Sequence, residues 1–278
     1  ATTVIYGLDA DLIMLCISHS KLCKNIYLYR ETPHFIRAIE PSLVPNETYL
    51  LDIKTLIDYI QDDVYGMLDD YIFVCFMLGN DFLPHFPGLN IRTSGMDTLI
   101  KTYKSVFGKG DNNLVTPERT IIWKNFKKYV QRLSEVEKDM IQDEYYIRDK
   151  WEDRRMPTKN ADDKMTFFTS IPVKNRDIEE LIDPFSKGWS KRYYEHLLDM
   201  RPTPKNIKHL CINYLEGLEW TYKYYTDTCY DWRWKYNYAY PPLLTDLAHY
   251  IPYFNINYIT LKEPKPLDSR IQLSFVLP

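Results

Sequence analysis

The chain has no paired cysteines: Cys16, Cys23, Cys75, Cys211 and Cys229 are scattered, odd in number and without a Cys-X-X-Cys spacing. That argues against a structural zinc site and a disulfide framework, and leaves reduced thiols as the expectation. No apolar run approaches the length that spans a bilayer, and no basic flank followed by an apolar stretch marks a secretion signal. The expectation is an intracellular protein, with nothing to separate cytoplasm from nucleus. Net charge is only -3 over 278 residues, so no global field draws nucleic acid. Basic residues cluster at Lys124, Lys127 and Lys128, at Arg148, Lys150, Arg154 and Arg155, and at Lys187, Lys191 and Arg192. Such groups are more often solvated helix faces than phosphate tracks. Internal repeats and low-complexity segments are also missing.

What is present is an ordinary globular balance with an aromatic excess: 15% aromatic residues, including 24 tyrosines, which need a place in the fold. The length allows one large domain or two small ones. Val4 to Leu8, Asn25 to Arg30 and Thr48 to Ile53 read as strands, and Ala10 to Ser18 and Lys54 to Gln61 as helices. Strands alternating with helices predict an α/β fold with a mainly parallel sheet flanked by helices. Tyr71 to Leu78 suits a buried strand or a buried helix, and the acidic start at Asp69 and Asp70 favours helix. Met96 to Phe107 and Trp123 to Gln142 follow at helical spacing. From about Glu144 to Lys187 the sequence turns charged and irregular, with Pro157, Pro172 and Pro184. Helices resume at Ser190 to Met200 and Asn206 to Tyr225, the second with an apolar stripe through Ile207, Leu210, Cys211, Tyr214, Leu218 and Tyr222. The predicted organisation is 1–143, an α/β core; 144–188, a variable linker; and 189–278, a mostly α-helical segment.

Two segments carry the chemistry. Val-Ile-Tyr-Gly-Leu-Asp-Ala-Asp at residues 4 to 11 reads as a buried strand delivering Asp9 and Asp11 to its C-terminal edge, where open α/β sheets bind ligands. Leu-Gly-Asn-Asp-Phe-Leu-Pro-His at 78 to 85 ends a second apolar run in Asp81. Either Asp9 or Asp11 could serve as a helix N-cap, but one cap needs only one aspartate. Converging carboxylates suit Mg²⁺ or Mn²⁺, hard cations that take oxygen ligands and assist phosphodiester chemistry, two ions at a time in a two-metal site. Asn80 reads as a turn residue and His85 as a hydrogen-bonded structural one. Downstream, Trp220 falls on a helical apolar stripe and reads as core. Trp232 and Trp234 stand beside Arg233 and Lys235 in a loop-like stretch, a composition that could stack bases with little sequence preference.

These segments resemble the aspartate motifs of the XRN family of 5′→3′ exoribonucleases, and residues 217 to 247 resemble that family's aromatic block, with the tryptophans at the same spacing. Pro266 to Pro278 resembles the start of the segment that follows. The resemblance implies a PIN/flap-nuclease-like core and Mg²⁺- or Mn²⁺-dependent, processive removal of nucleotides from single-stranded RNA bearing a 5′-monophosphate. It also implies that Asp9, Asp11 and Asp81 are catalytic metal ligands and that a tryptophan, Trp234 in preference to Trp232, stacks on the 5′-terminal base. In the family, further acids and the 5′-phosphate pocket come from upstream sequence. The chain, starting at Ala1, is therefore expected to be an internal piece, inactive in isolation. Ala239, Lys235 and Asn237 depart from the family's histidine, tyrosine and proline. The rivals are a flap-endonuclease or PIN-like structure-specific nuclease and a catalytically incomplete homologue that binds RNA or a partner.

Overall fold

The computed structural model describes residues 2–23, 25–31, 40–44, 47–65, 67–108, 112–152, 158–161, 163–164, 167, 176–262 and 266–277. Arg154, Arg155, Pro157, Pro172 and Pro278 lie outside them. Three strands, β1 (Thr2–Tyr6), β2 (Asn25–Glu31) and β3 (Thr48–Asp52), form one sheet in the order β1-β2-β3. Leu28 sits at its centre, opposite Ile5 of β1 and Leu51 of β3, and is fully buried. Its face packs on α1 (Asp11–Ser18) and α2 (Ile53–Asp63). α2 starts where it does because Asp52 caps it, its Oδ1 accepting from the Lys54 and Thr55 amides at 2.9 and 3.3 Å.

Two strand expectations are corrected. The sheet is not mainly parallel among the described residues: β1 runs parallel to β2, but β3 runs antiparallel to it. An apolar run such as Tyr-Leu-Leu carries no information on strand direction. Nor is β1 a buried strand. Side chains alternate along a strand, so Ile5 shares the covered face with Leu28. Val4 and Tyr6 share the opposite face with Tyr29 and Leu50, where they are 57% and 65% exposed.

The second apolar run is helical, as its acidic start implied: α3 (Leu68–Cys75) passes into a 3₁₀ turn, Phe76–Leu78, and every residue from Ile72 to Leu78 is buried. α4 (Gly95–Phe107) and α5 (Trp123–Ser134) pack beside it. The helix predicted over Trp123 to Gln142 is two helices, α5 and α6 (Glu137–Glu152). Glu137 explains the break. Its carboxylate is buried at the start of α10 (Leu244–Tyr250), accepting from the Leu244 amide and from the Thr245 amide and hydroxyl at 3.0 and 2.7 Å. A continuous helix would carry it elsewhere. α7 (Asp177–Ile182) is held to α6 by Arg148–Glu179 and Arg176–Asp149 ion pairs at 2.5 and 2.7 Å, so both ends of the charged stretch 144–188 are helical. α8 (Trp189–Arg192) runs into a π-turn, Tyr193–Leu197; α9 (Pro204–Thr226) is the longest helix described, and α11 (Ser269–Val276) ends the chain. One buried cluster draws on Cys16, Leu28, Phe73, Trp123, Tyr214, Tyr222 and Leu247, and so joins residues from both ends of the chain.

Single members of the basic clusters serve the fold. Lys127 is buried, donating to the carbonyls of Ile251 and His249 at the C-terminal end of α10, where a cation suits the helix dipole. Arg192 donates to the carbonyls of Ile182, Asp183 and Lys187.

Glu137 also sets a pH dependence. Burial pushes its carboxyl up to about 7, against the hydrogen bonds that hold it down, and burial likewise pushes Asp70 up to about 6. Both values lie above those of the unfolded chain, so the folded state holds protons more tightly. The stability they contribute is complete below the unfolded values and lost as pH rises through the folded ones. The melting temperature is expected to drop on the order of 5 °C between about pH 5 and about pH 8, and Glu137→Gln should flatten that slope. A slope of opposite sign in the wild-type chain would refute this.

Candidate active site and aromatic stack

α1 is capped by neither aspartate. Its N-cap is Ala10, with no side-chain hydrogen bond, and the first amides are met by main chain, Leu12 to the Asp9 carbonyl at 3.3 Å and Ile13 to the Ala10 carbonyl at 3.0 Å. Both carboxylates are thereby left for other work, Asp9 exposed and Asp11 half-buried in the first turn. The approach to them is pinned by Arg30, whose Nη2 donates to the Leu8 carbonyl at 2.8 Å.

Asp81 stands on a loop with a backbone requirement. Gly79 has φ 87°, and a Cβ there would lie 2.9 Å from the His85 amide nitrogen, so only glycine fits. Asn80 closes the loop: its Oδ1 accepts from the Phe82 and Leu83 amides at 2.9 and 3.0 Å, and its own amide donates to the Leu83 carbonyl at 3.0 Å. This geometry leaves Asp81 exposed. His85 is exposed, with its Nδ1 2.9 Å from the Phe86 carbonyl.

The hydroxyl of Tyr225 on α9 is raised above the usual tyrosine range, first by burial, then by Asp11 and by the charge of Asp81. Asp9 is two residues from Asp11, on the exposed segment between β1 and α1. Among the described residues, no three His, Cys, Asp or Glu side chains form a group that could hold a metal ion.

Beside this loop lies a stack of three rings. Trp220, buried on α9 with its Nε1 donating to the Asp231 carbonyl at 2.8 Å, is sandwiched between Tyr224 (centroids 5.1 Å apart, planes at 8°) and Trp234 (5.2 Å, 24°). Phe82, the residue after Asp81, meets Trp220 edge-on at 4.8 Å and Tyr224 at 5.4 Å. Gly217 makes the arrangement fit, since a Cβ there would lie 2.6 Å from a Leu83 methyl and 2.7 Å from the Trp234 ring. Trp234 is half-buried, while Trp232 is 47% exposed and outside the stack. Tyr224 was missed from the sequence, although it stands four residues after Trp220 on one helix face, a spacing that brings rings together. The departures at Lys235, Asn237 and Ala239 lie off the stack: Asn237 donates its amide to Asn213 Oδ1 at 2.9 Å, and Ala239 lines an apolar cavity of about 300 Å³ with His85, Trp189, Tyr193 and Tyr240.

A family model described as the Xrn1 helical domain matches residues 61–183 and 172–278. The chain belongs to the Xrn1 helical domain family. The match takes in the Gly79–Asp81 loop and the stack on α9, while β1 and Asp11 precede it. Relatives of this family extend over the rest: a human protein named 5'-3' exoribonuclease 1 is 23% identical over 99% of the chain and 19% of its own length. A Drosophila melanogaster protein named 5'-3' exoribonuclease 2 homolog is 26% identical over 76% of the chain and 27% of its own length. A Debaryomyces hansenii protein named 5'-3' exoribonuclease 2 is 22% identical over 99% and 41%. The chain thus spans less than half the length of these relatives. No described helix is long and apolar enough to cross a membrane.

Proposed function

We propose that the chain is part of a 5′→3′ exoribonuclease that hydrolyses single-stranded, 5′-monophosphorylated RNA processively with divalent-metal catalysis. The observation that carries this is the exposed Asp81, held on a loop whose next residue, Phe82, packs against a stack of three aromatic rings. The donor set fits Mg²⁺ or Mn²⁺ as far as it goes: two carboxylates, with Asp9 nearby, supply the oxygen ligands that hard cations take alongside water and phosphate. Asp11 and Asp81 would hold the metal, and when bound it would supply charge to the scissile phosphate and lower the pKa of an attacking water. The chain's own residues hold and orient. Gly79 and Asn80 fix the loop that aims Asp81 outward, and the rings offer a flat apolar surface that holds a terminal base without reading its identity.

In this reading the remaining ligands and the 5′-phosphate pocket are supplied by upstream parts of the same protein. The flap-endonuclease or PIN-like alternative shares the carboxylates, but the stack on α9 favours a single-strand exonuclease. Trp234→Ala in the full-length protein tests the platform. The expected result is about 1 to 3 kcal/mol lost from single-stranded RNA binding, with Mn²⁺ affinity unchanged. Because Trp234 is half-buried against Trp220, a drop in melting temperature accompanies it. Unaltered RNA affinity in the folded fraction would sink the platform, and the same titration on Tyr224→Ala shows whether the other outer ring of the stack takes the base instead.

A further inference from the structure

We infer that the cavity of about 300 Å³ walled by Trp189, Tyr193 and Tyr240 is a binding site for an alkylated ammonium group, carried by a small molecule or by a methylated lysine side chain. Tyr145 of α6 adds another ring to the wall, and Pro84 and His85, just beyond the Asp81 loop, close a further side. A volume of this size is at the small end of ligand sites. It suits a small molecule or the tip of a side chain, not a folded segment.

The donors on this wall are already spent. Tyr145 and Tyr193 donate their hydroxyls to the carbonyls of Glu179 and Pro241 at 2.8 and 2.9 Å. Arg148 donates to both carboxylate oxygens of Glu179 at 2.6 and 2.5 Å. The Nδ1 of His85 faces a carbonyl, which can only accept, so it carries the proton of the neutral ring and leaves Nε2 as an acceptor. A wall of this kind offers little to a phosphate or a carboxylate.

Glu144 sets the sign of the ligand. It is 3% exposed on the cavity wall, and its carboxylate accepts from Asn90 Nδ2 at 3.2 Å and from the Thr93 hydroxyl, both neutral donors. Among the described residues no cation pairs with it: Arg148, one turn further along α6, serves Glu179 instead. A buried carboxylate without a cation is costly, and a cation entering the cavity supplies the missing charge. The rings favour the same ligand, since a cation is drawn to the negative face of an aromatic, and Tyr145 already holds the Arg176 guanidinium 5.1 Å from its centroid. Alkylation follows from the apolar walls, because each N–H of a bare ammonium would need an acceptor that they do not provide.

Saturation-transfer difference NMR on the full-length protein reads the site with choline, with a short peptide carrying trimethyllysine, and with the neutral analogue of choline in which carbon replaces the nitrogen. Choline or the peptide is expected to bind, and the carbon analogue at least about 10-fold more weakly than choline. The tighter of the first two names the source of the ammonium group. Ala239→Trp, at an exposed position on the cavity wall, should remove the signal with the melting temperature close to unchanged. Glu144→Gln keeps the shape, removes the charge and should weaken binding by a similar factor; if it fails to fold, the carbon analogue and Ala239→Trp carry the test by themselves. Equal binding of choline and its carbon analogue would show an apolar cavity without charge selection and overturn the inference. Binding of neither choline nor the peptide, or a signal that survives Ala239→Trp, overturns it as well. Uptake of guanosine in place of choline would make the cavity a base pocket and sink the ammonium reading.

Discussion

Replacing Asp11 or Asp81 with alanine in the full-length protein is expected to abolish divalent-cation-dependent degradation of 5′-monophosphorylated RNA while the fold survives. Neither side chain caps a helix: α1 begins on Ala10, and the Gly79–Leu83 loop is closed by Asn80. Asp81 is exposed and Asp11 half-buried, so stability should hold within about 0.5 kcal/mol. A turnover assay beside a thermal melt checks both halves. Full turnover in both variants would withdraw the catalytic assignment, and a collapsed fold would show that the carboxylates are structural. The isolated 278-residue chain is expected to turn over slowly or not at all in the same assay, since Mg²⁺ gives up water reluctantly for few carboxylates.

Asp70→Ala is expected to destabilise the chain by about 3 to 6 kcal/mol, a large part of what a domain has. Asp70 is 1% exposed, and its carboxylate accepts from the amides of Leu114 and Val115, each at 2.8 Å, and from the Tyr103 hydroxyl at 2.5 Å. Alanine would leave three buried donors without a partner, and each such group costs about 1 to 3 kcal/mol. Asp70→Asn keeps one carbonyl oxygen and should lose roughly half as much. Urea melts of the two variants decide the matter; a loss under about 1 kcal/mol for alanine would mean that water or repacking meets those donors.

Asp70 also shows where sequence reasoning stops. The pair Asp69–Asp70 announced a helix, and α3 is there, because an acid near a helix start acts within one turn. That Asp70 would face inward and staple residues 114 and 115 depends on a chain 44 positions away, and no local pattern encodes it. The same division runs through the molecule. Gly79 and Asn80 were legible as a turn because their requirements are local. The break between α5 and α6 was not, because it serves an N-terminus more than 100 residues downstream, where Glu137 meets Leu244. β1 was read as buried from composition alone, but alternation lets a strand be apolar on a face that nothing described covers. Within the site, Asp11 and Asp81 were visible as residues that end apolar runs. Tyr225 was visible only as the last residue of a predicted helix, since its place against α1, where Ser18 donates to its carbonyl, arises from packing between α1 and α9.

The guanidinium of Arg119, donating to the Ser18 and Thr226 carbonyls, has a consequence for the order of events during synthesis. Its contacts join Ser18, Arg119 and Thr226, and Ser18 reaches Tyr225 across 207 positions. At ribosomal speeds of about 5 to 20 residues per second, Arg119 is made roughly 5 to 20 s before Thr226. Through that interval α1 exists without the helix that its C-terminal end is tied to. The nascent protein should therefore complete the packing of its first helix late and abruptly, when α9 clears the exit tunnel.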